Sequence, residues 1–226
     1  DGFVMLTTRD NFLYHEMLTH PALFSHPDPK RVVIIGGGDC GTLREVLAHQ
    51  CVESVTQVEI DEQVTRLAEL HFPDLCERNS DPRAELLFDD GLAYIKNIEP
   101  ETIDVLIVDS TDPIGPAEGL FGPGFVKDCF AALAPDGILV QQSESPLLHQ
   151  ELIAGIRANM EEAGFDDIRT LGFPQPCYPS GWWSATQARK GGPIEPVNAE
   201  RFAASGIKTR YFNPGVHVGA LATQLP

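Results

Sequence analysis

The sequence is short of positive charge. Its 226 residues hold 16 Lys and Arg against 33 Asp and Glu, a formal net charge of −17. A surface of that sign repels nucleic-acid phosphate and anionic lipid, so a nucleic-acid or membrane-surface partner is not expected. Acidity for solubility alone is the plain alternative; cations are the natural ligands otherwise. Long apolar runs are also missing. None approaches the ~20 residues that a membrane-crossing helix needs, and no signal peptide is visible. The chain opens at Asp1-Gly2-Phe3 with no initiator Met, so further sequence upstream is expected. Cysteines are few and scattered: Cys40, Cys51, Cys76, Cys129 and Cys177 make no CxxC pair, and their odd number closes no disulfide framework. A reduced, cytoplasmic setting is the expectation. No His/Asp spacing resembles a dedicated metal site, and there is no internal repeat or low-complexity tract.

What is present is an alternation. Short apolar runs at Arg31–Ile35, Val55–Glu59, Ala84–Phe88, Asp104–Asp109 and Gly137–Gln142 predict strands. Helical patterns fall between or after them at Thr42–His49, Glu62–His71, Gly91–Asn97, Phe125–Leu133 and Leu148–Ala163. Such alternation argues for an α/β fold with a parallel sheet and helices on both faces. The strands read as continuous apolar runs, as strands buried on both sides should. Past Gly164 the pattern changes. Phe165–Leu171 and Trp182–Ala188 read as an antiparallel pair finishing the sheet, with Trp182 and Trp183 as strand core. Gly2–Thr8 suggests a strand, Phe12–Leu18 a short helix, and Gly191–Pro196 an exposed loop.

The first strand runs into Gly36-Gly37-Gly38-Asp39-Cys40-Gly41 and then a helix, a loop where backbone can approach a ligand closely. Gly36, Gly38 and Gly41 satisfy GxGxxG, a weak match taken alone. The second strand ends in Glu59, eighteen residues after Gly41, where a carboxylate accepts from ribose hydroxyls. Together they argue for an adenosine-bearing ligand. Asp39 would repel a pyrophosphate at this helix start and welcome a cationic tail. Asp90, ending the third strand, is placed toward the adenine amino group; neighbouring Asp89 reads equally as a helix cap. The fourth strand ends in Asp109-Ser110-Thr111-Asp112-Pro113-Ile114-Gly115-Pro116, a stiff acidic loop at the strand's carboxyl edge. Acids so gathered need a cation, and amines are a better guess than a metal. His20, His26, His49, His71, His149 and His217 look isolated, with core or surface roles.

These runs, together with Arg9–Met17 and Tyr178-Pro179-Ser180-Gly181, resemble the spermidine synthase family of polyamine aminopropyltransferases essentially from end to end. The resemblance implies a Rossmann-like, S-adenosylmethionine-methyltransferase-type sheet of seven strands. It also implies the remnant of an N-terminal β-hairpin domain at residues 1–28, with its linker helix, and a catalytic domain at 29–226. The implied reaction moves the aminopropyl group of decarboxylated S-adenosylmethionine to putrescine, with no further cofactor. Carried over by position, Asp39 holds the amino group of the aminopropyl tail, Glu59 the ribose and Asp90 the adenine side, beside Gly36 and Gly38. Asp109 takes the proton of the attacking amine, helped by Tyr14. Asp112, Tyr178 and Gln142 grip putrescine, and His15 lies in the diamine region. The Asp109–Leu120 stretch corresponds to a gatekeeping loop, and a homodimer or homotetramer is implied. Two positions depart from the pattern. Cys40 stands where many relatives have Gly, an exchange of one small residue for another, and Met5 stands where some have a cofactor-contacting Gln. The alternatives are a putrescine N-methyltransferase or another S-adenosylmethionine-dependent transferase, an NAD oxidoreductase suggested only by the glycine motif, and a non-catalytic polyamine-binding regulator.

Overall fold

The computed structural model describes residue 2 and residues 4–223. Seven strands form one sheet in the order β3-β2-β1-β4-β5-β7-β6. They are β1 (Arg31–Gly36), β2 (Ser54–Glu59), β3 (Ala84–Phe88), β4 (Ile103–Asp109), β5 (Leu133–Gln142), β6 (Asp167–Pro174) and β7 (Trp182–Arg189). The first five pair in parallel, and β7 runs antiparallel to both β5 and β6, so the expected finishing pair is present.

The apolar runs are buried on both faces by different layers. Val32 and Ile34 of β1, with Val105 and Ile107 of β4, join one core with α1 (Asn11–Ser25) and α2 (Gly41–Leu47). Val33 and Ile35, with Leu106 and Val108, join the other with α5 (Pro123–Ala132) and α6 (Gln150–Ala163). Successive side chains in a strand point to opposite faces, so a strand covered on both sides must be apolar throughout. Helices α3 (Glu62–His71) and α4 (Gly91–Asn97) follow β2 and β3.

Three expectations needed correction. The helix read as Phe12–Leu18 runs to Ser25, through Pro21. Proline inside a helix removes one hydrogen bond, but every residue of α1 except Phe12 is buried, and this packing holds the turn together. The end of α1 is tied as well: the Arg201 guanidinium donates to the carbonyls of Phe24 and His26 at 3.0 and 2.6 Å. The strand suggested at Gly2–Thr8 is not formed over residues 4–8, where no neighbouring strand offers a ladder; Phe3 lies outside the described residues. Two further helices close the chain, α7 (Ala199–Ser205) and α8 (Pro214–Ala222), capped by the side chains of Asn198 and Asn213. Neither is amphipathic enough to stand out in the sequence.

Nor are the histidines isolated. His20 Nδ1 and His49 Nε2 lie 3.0 Å apart inside the core, and His20 Nε2 lies 3.2 Å from Glu45. Burial, then the neighbouring His20 and Arg201, push His49 from its ordinary 6.5 down to about 2. A histidine held neutral in the folded chain must take up a proton on unfolding, so its contribution is complete above pH 6.5 and drains away as pH falls below it. At about 1.4 kcal/mol per pH unit, moving from pH 6.5 to 5 costs about 2 kcal/mol through this group. Urea unfolding at pH 7 and pH 5 is therefore expected to show a loss about 2 kcal/mol larger for the unaltered chain than for His49→Gln. Equal losses would mean that the histidine is not held neutral.

Candidate active site

The sheet order reverses between β1 and β4, which opens a crevice beyond their carboxyl ends. The register sets what meets there: Gly36 pairs with Asp109, and the Gly37 N–H donates to the Asp109 carbonyl at 2.8 Å. The backbone of Gly36 has φ +83°, and a Cβ at that position would overlap the Asp109 carbonyl. Only glycine lets the loop turn there. Cys40 begins α2 with φ +65°. The exchange at that position is therefore not merely small for small, because glycine holds a left-handed backbone without the strain that Cys40 carries.

A cleft of about 550 Å³ opens at this edge, lined by Gly36, Gly38, Asp39, Glu59, Asp90, Asp109, Tyr14 and Tyr178. Asp109 is oriented from two sides. Tyr14 Oη donates to Oδ1 at 2.7 Å and Thr42 Oγ1 to Oδ2 at 2.6 Å. Burial, then the Asp39 charge, raise Asp109 above the ordinary carboxylate range despite these donors. Burial, then the charge of Asp109, hold Tyr14 far above the usual phenol value, so it acts as a donor and not a base.

Asp39 behaves in the opposite way. Burial alone would raise it, but the charge and hydrogen bond of His15, the Gly41 N–H and Arg44 together lower it. Its Oδ1 accepts from Gly41 N at 2.7 Å, and its Oδ2 lies 3.2 Å from His15 Nε2. Burial would lower His15, yet Asp39 raises it, so the two form an ion pair. His15 thus stands directly behind Asp39, its Nε2 turned to that carboxylate. Glu59 is raised, chiefly by burial, with Oε1 taken by the Asp61 N–H at 3.0 Å. Asp90, not Asp89, is the cap of α4, accepting from Leu92 N at 2.8 Å; Asp89 accepts from Asp90 N at 2.7 Å.

Asp112 and Gln142 lie to the side of this cleft. Gln142 is buried, with Nε2 3.4 Å from the Thr111 carbonyl and Oε1 accepting from Trp183 Nε1 at 3.2 Å. Trp183 is core, as expected, and its ring also packs edge-on against Tyr178 at 4.6 Å. Tyr178 Oη donates to the Met5 carbonyl at 2.8 Å, so position 5 contributes backbone to the cleft rim. Two residues escaped sequence reasoning. Thr42 was visible only as part of a motif. Glu144 follows Gln142 by two positions, 2% exposed, with φ +63° and with Asp112 for a neighbour. Burial and Asp112 push Glu144 up to about 8. Its place at the end of β5 was the available signal; its backward turn into the protein was not legible.

The class this arrangement defines is an α/β group transferase of the methyltransferase-like fold. The family model described as "Spermine/spermidine synthase domain" matches residues 11–196. The polyamine aminopropyltransferase of Stenotrophomonas maltophilia (strain K279a) is 61% identical over 223 residues, covering 99% of this chain and 79% of that protein. That of Xanthomonas axonopodis pv. citri is 60% identical, covering 98% and 78%. A crystal structure of spermidine synthase in complex with the transition-state analogue AdoDATO superposes with a TM-score of 0.94 at 37% identity, covering 99% of this chain and 76% of that one. The spermidine synthase of Thermotoga maritima gives 0.91 at the same identity, with the same coverage. The chain belongs to the spermine/spermidine synthase family. Polyamine aminopropyl transfer takes precedence over the oxidoreductase, methyltransferase and regulator readings.

A Cβ at Gly41 would overlap the buried His15 ring. Gly41→Ala must therefore displace His15 from Asp39, at about 1–3 kcal/mol for overpacking. The expected result is a lower melting temperature together with a donor KM raised at least about tenfold, given that a lost charge-assisted hydrogen bond is worth about 1.5–3 kcal/mol. An unchanged donor KM would show that the His15–Asp39 pair is not part of donor binding.

Proposed function

We propose that this chain transfers the aminopropyl group of decarboxylated S-adenosylmethionine to putrescine with Asp109 as the group that accepts the amine's proton. The observation that carries the assignment is the Asp109 carboxylate, half-buried and raised, oriented by Tyr14 and Thr42 at the strand pairing that also forms the donor loop.

The donor's sulfonium makes the neighbouring carbon electrophilic, so the reaction calls for no further cofactor. What must be supplied is a neutral amine. With a pKa of roughly 10.4, only about one primary amine in a few thousand is neutral at pH 7. A carboxylate raised by burial holds a proton more firmly than one in water and is the better acceptor as attack proceeds. Asp39, held in place by His15 and the Gly41 N–H, anchors the ammonium of the aminopropyl tail. Glu59 keeps Oε2 for the ribose, Asp90 keeps Oδ2 for the adenine side, and Gly36 and Gly38 let the nucleoside approach the backbone. Holding nucleophile, carbon and sulfur in line contributes the remainder. Asp109→Asn keeps the shape and, through its amide oxygen, one of the two hydroxyl donors, but cannot accept the proton. It is expected to lower kcat by about 10²–10⁴-fold while binding of the nucleoside product survives. A near-normal kcat would remove Asp109 from the role.

The far ammonium of putrescine is assigned to Asp112 and Glu144, with Gln142 and Tyr178 closing the corner. Two carboxyl groups this close share a proton while no amine is present, and Glu144, at about 8, is the one that holds it. Arrival of an ammonium favours the ionised form, so putrescine binding must release a proton, and affinity must rise as pH approaches 8. Calorimetry at pH 7 in two buffers of different ionisation heat is expected to show release approaching about one proton per putrescine, with the nucleoside product bound. Glu144→Gln is expected to reduce that release sharply and weaken binding. An equal proton count in both proteins would place the far ammonium elsewhere.

The same reading takes residues 1–28 as the end of an N-terminal β domain with its linker helix, and 29–226 as the catalytic domain. It takes the working enzyme as a cytoplasmic homodimer or homotetramer. Light scattering of the full chain and cell fractionation test the last two assignments.

A further inference from the structure

All five thiols are free, and two of them meet behind the donor loop. Cys40 is fully buried at the start of α2, and Cys76 is half-buried in the turn after α3. Their sulfurs rest on consecutive carbonyls of that loop: Cys40 Sγ is 3.7 Å from the Gly38 carbonyl and Cys76 Sγ 3.6 Å from the Asp39 carbonyl. The two thiols are near enough to influence each other's ionisation, and Asn79 influences both. Nothing in the transfer reaction uses either sulfur. We propose that Cys40 and Cys76 are a thiol pair that oxidises to a disulfide and thereby shuts the donor site.

With a low-molecular-weight disulfide as oxidant, the chemistry balances. The more accessible Cys76 thiolate attacks one sulfur of the oxidant and expels the first small thiol, leaving a mixed disulfide. Cys40 then attacks the Cys76 sulfur and expels the second. The pair has lost two electrons and two protons, and both leave on the two small thiols. A bonded pair stands about 2.05 Å apart, well inside any non-bonded sulfur contact, so closure draws the α2 cap toward the turn. The peptide that moves joins Asp39 to Cys40, and the same cap holds the Asp39 carboxylate through the Gly41 N–H. Burial raises both thiols, Cys40 to about 12. Thiolate is therefore scarce near neutrality, and closure is slow, quickening about tenfold per pH unit. The loss of donor binding rests on the role proposed for Asp39; the disulfide does not.

The test uses the full chain, incubated folded with oxidised glutathione at pH 8, alkylated, and mapped by mass spectrometry without reduction. Transfer is assayed before and after dithiothreitol. A Cys40–Cys76 cross-link is expected, with a donor KM raised at least tenfold and restored by dithiothreitol. Cys76→Ser is expected to keep the basal rate and resist the oxidant. Absence of the cross-link overturns the pair. A cross-linked enzyme with unchanged donor KM overturns the switch, as does inactivation that persists in Cys76→Ser. Asp39→Asn assayed alongside separates the two readings: a normal donor KM in that variant removes the Asp39 role while the cross-link is judged on its own.

Discussion

The pairing of β1 with β4 puts Gly36 in register with Asp109, and the glycine loop and the Asp109 carboxylate meet through that contact. The Gly37 N–H holds the Asp109 carbonyl, while the carboxylate of the same residue receives Tyr14 and Thr42. Backbone and side chain of one residue are therefore fixed by three separate elements. The two strands are buried on both faces, so the register cannot slip by one residue without turning every apolar side chain to the wrong layer. A group-transfer site gains from such rigidity, because displacement of the acceptor relative to the donor carbon costs rate steeply.

Electrostatics divides the acids into two kinds. Asp39 is already paired, lowered by His15, Gly41 and Arg44, and its charge is available at all ordinary pH. Asp109, Glu59 and Glu144 are raised, each chiefly by burial. Raised carboxyls are a cost to the empty protein, since each would ionise more readily in water. A dicationic amine and a donor with a cationic tail repay that cost by supplying the missing positive charge. The scarcity of basic residues in the sequence is consistent with this arrangement: arginine or lysine in the cleft would neutralise the acids permanently and leave nothing for the substrate to do.

Much of this was legible before the fold was known. The apolar runs located all seven strands of the sheet; the central β1 and β4 carry burial in nearly every residue, whereas the edge strands β3 and β6 are only partly buried. Glu59, Asp90 and Asp109 were legible as cleft-lining carboxylates because they fall at the carboxyl ends of parallel strands. Other features carried no local signal. Glu144 lies at such an end too, but only a left-handed backbone angle turns it inward beside Asp112. Thr42 reaches Asp109 through the register of a strand far away in sequence. The His20–His49 pair joins α1 to the turn after α2, and residue spacing does not report which elements touch. Asp89 read as the cap in the sequence, yet Asp90, the residue directly before Gly91, closes the helix.

Helix α1 explains why its own length was misread. Tyr14, His15 and Glu16 are consecutive, so they project in three directions around the helix. Tyr14 meets Asp109, His15 meets Asp39, and Glu16 accepts the backbone N–H groups of Arg210, Tyr211 and Phe212. A helix with working partners on every side cannot show one apolar face and one polar face. Its stability has to come from burial all round, which is what its core side chains Met17, Leu18, Ala22 and Leu23 supply. Burial all round is also what lets it continue through Pro21. The features that make α1 hard to recognise are those that let one helical turn bind Asp109, Asp39 and the C-terminal segment into a single rigid unit.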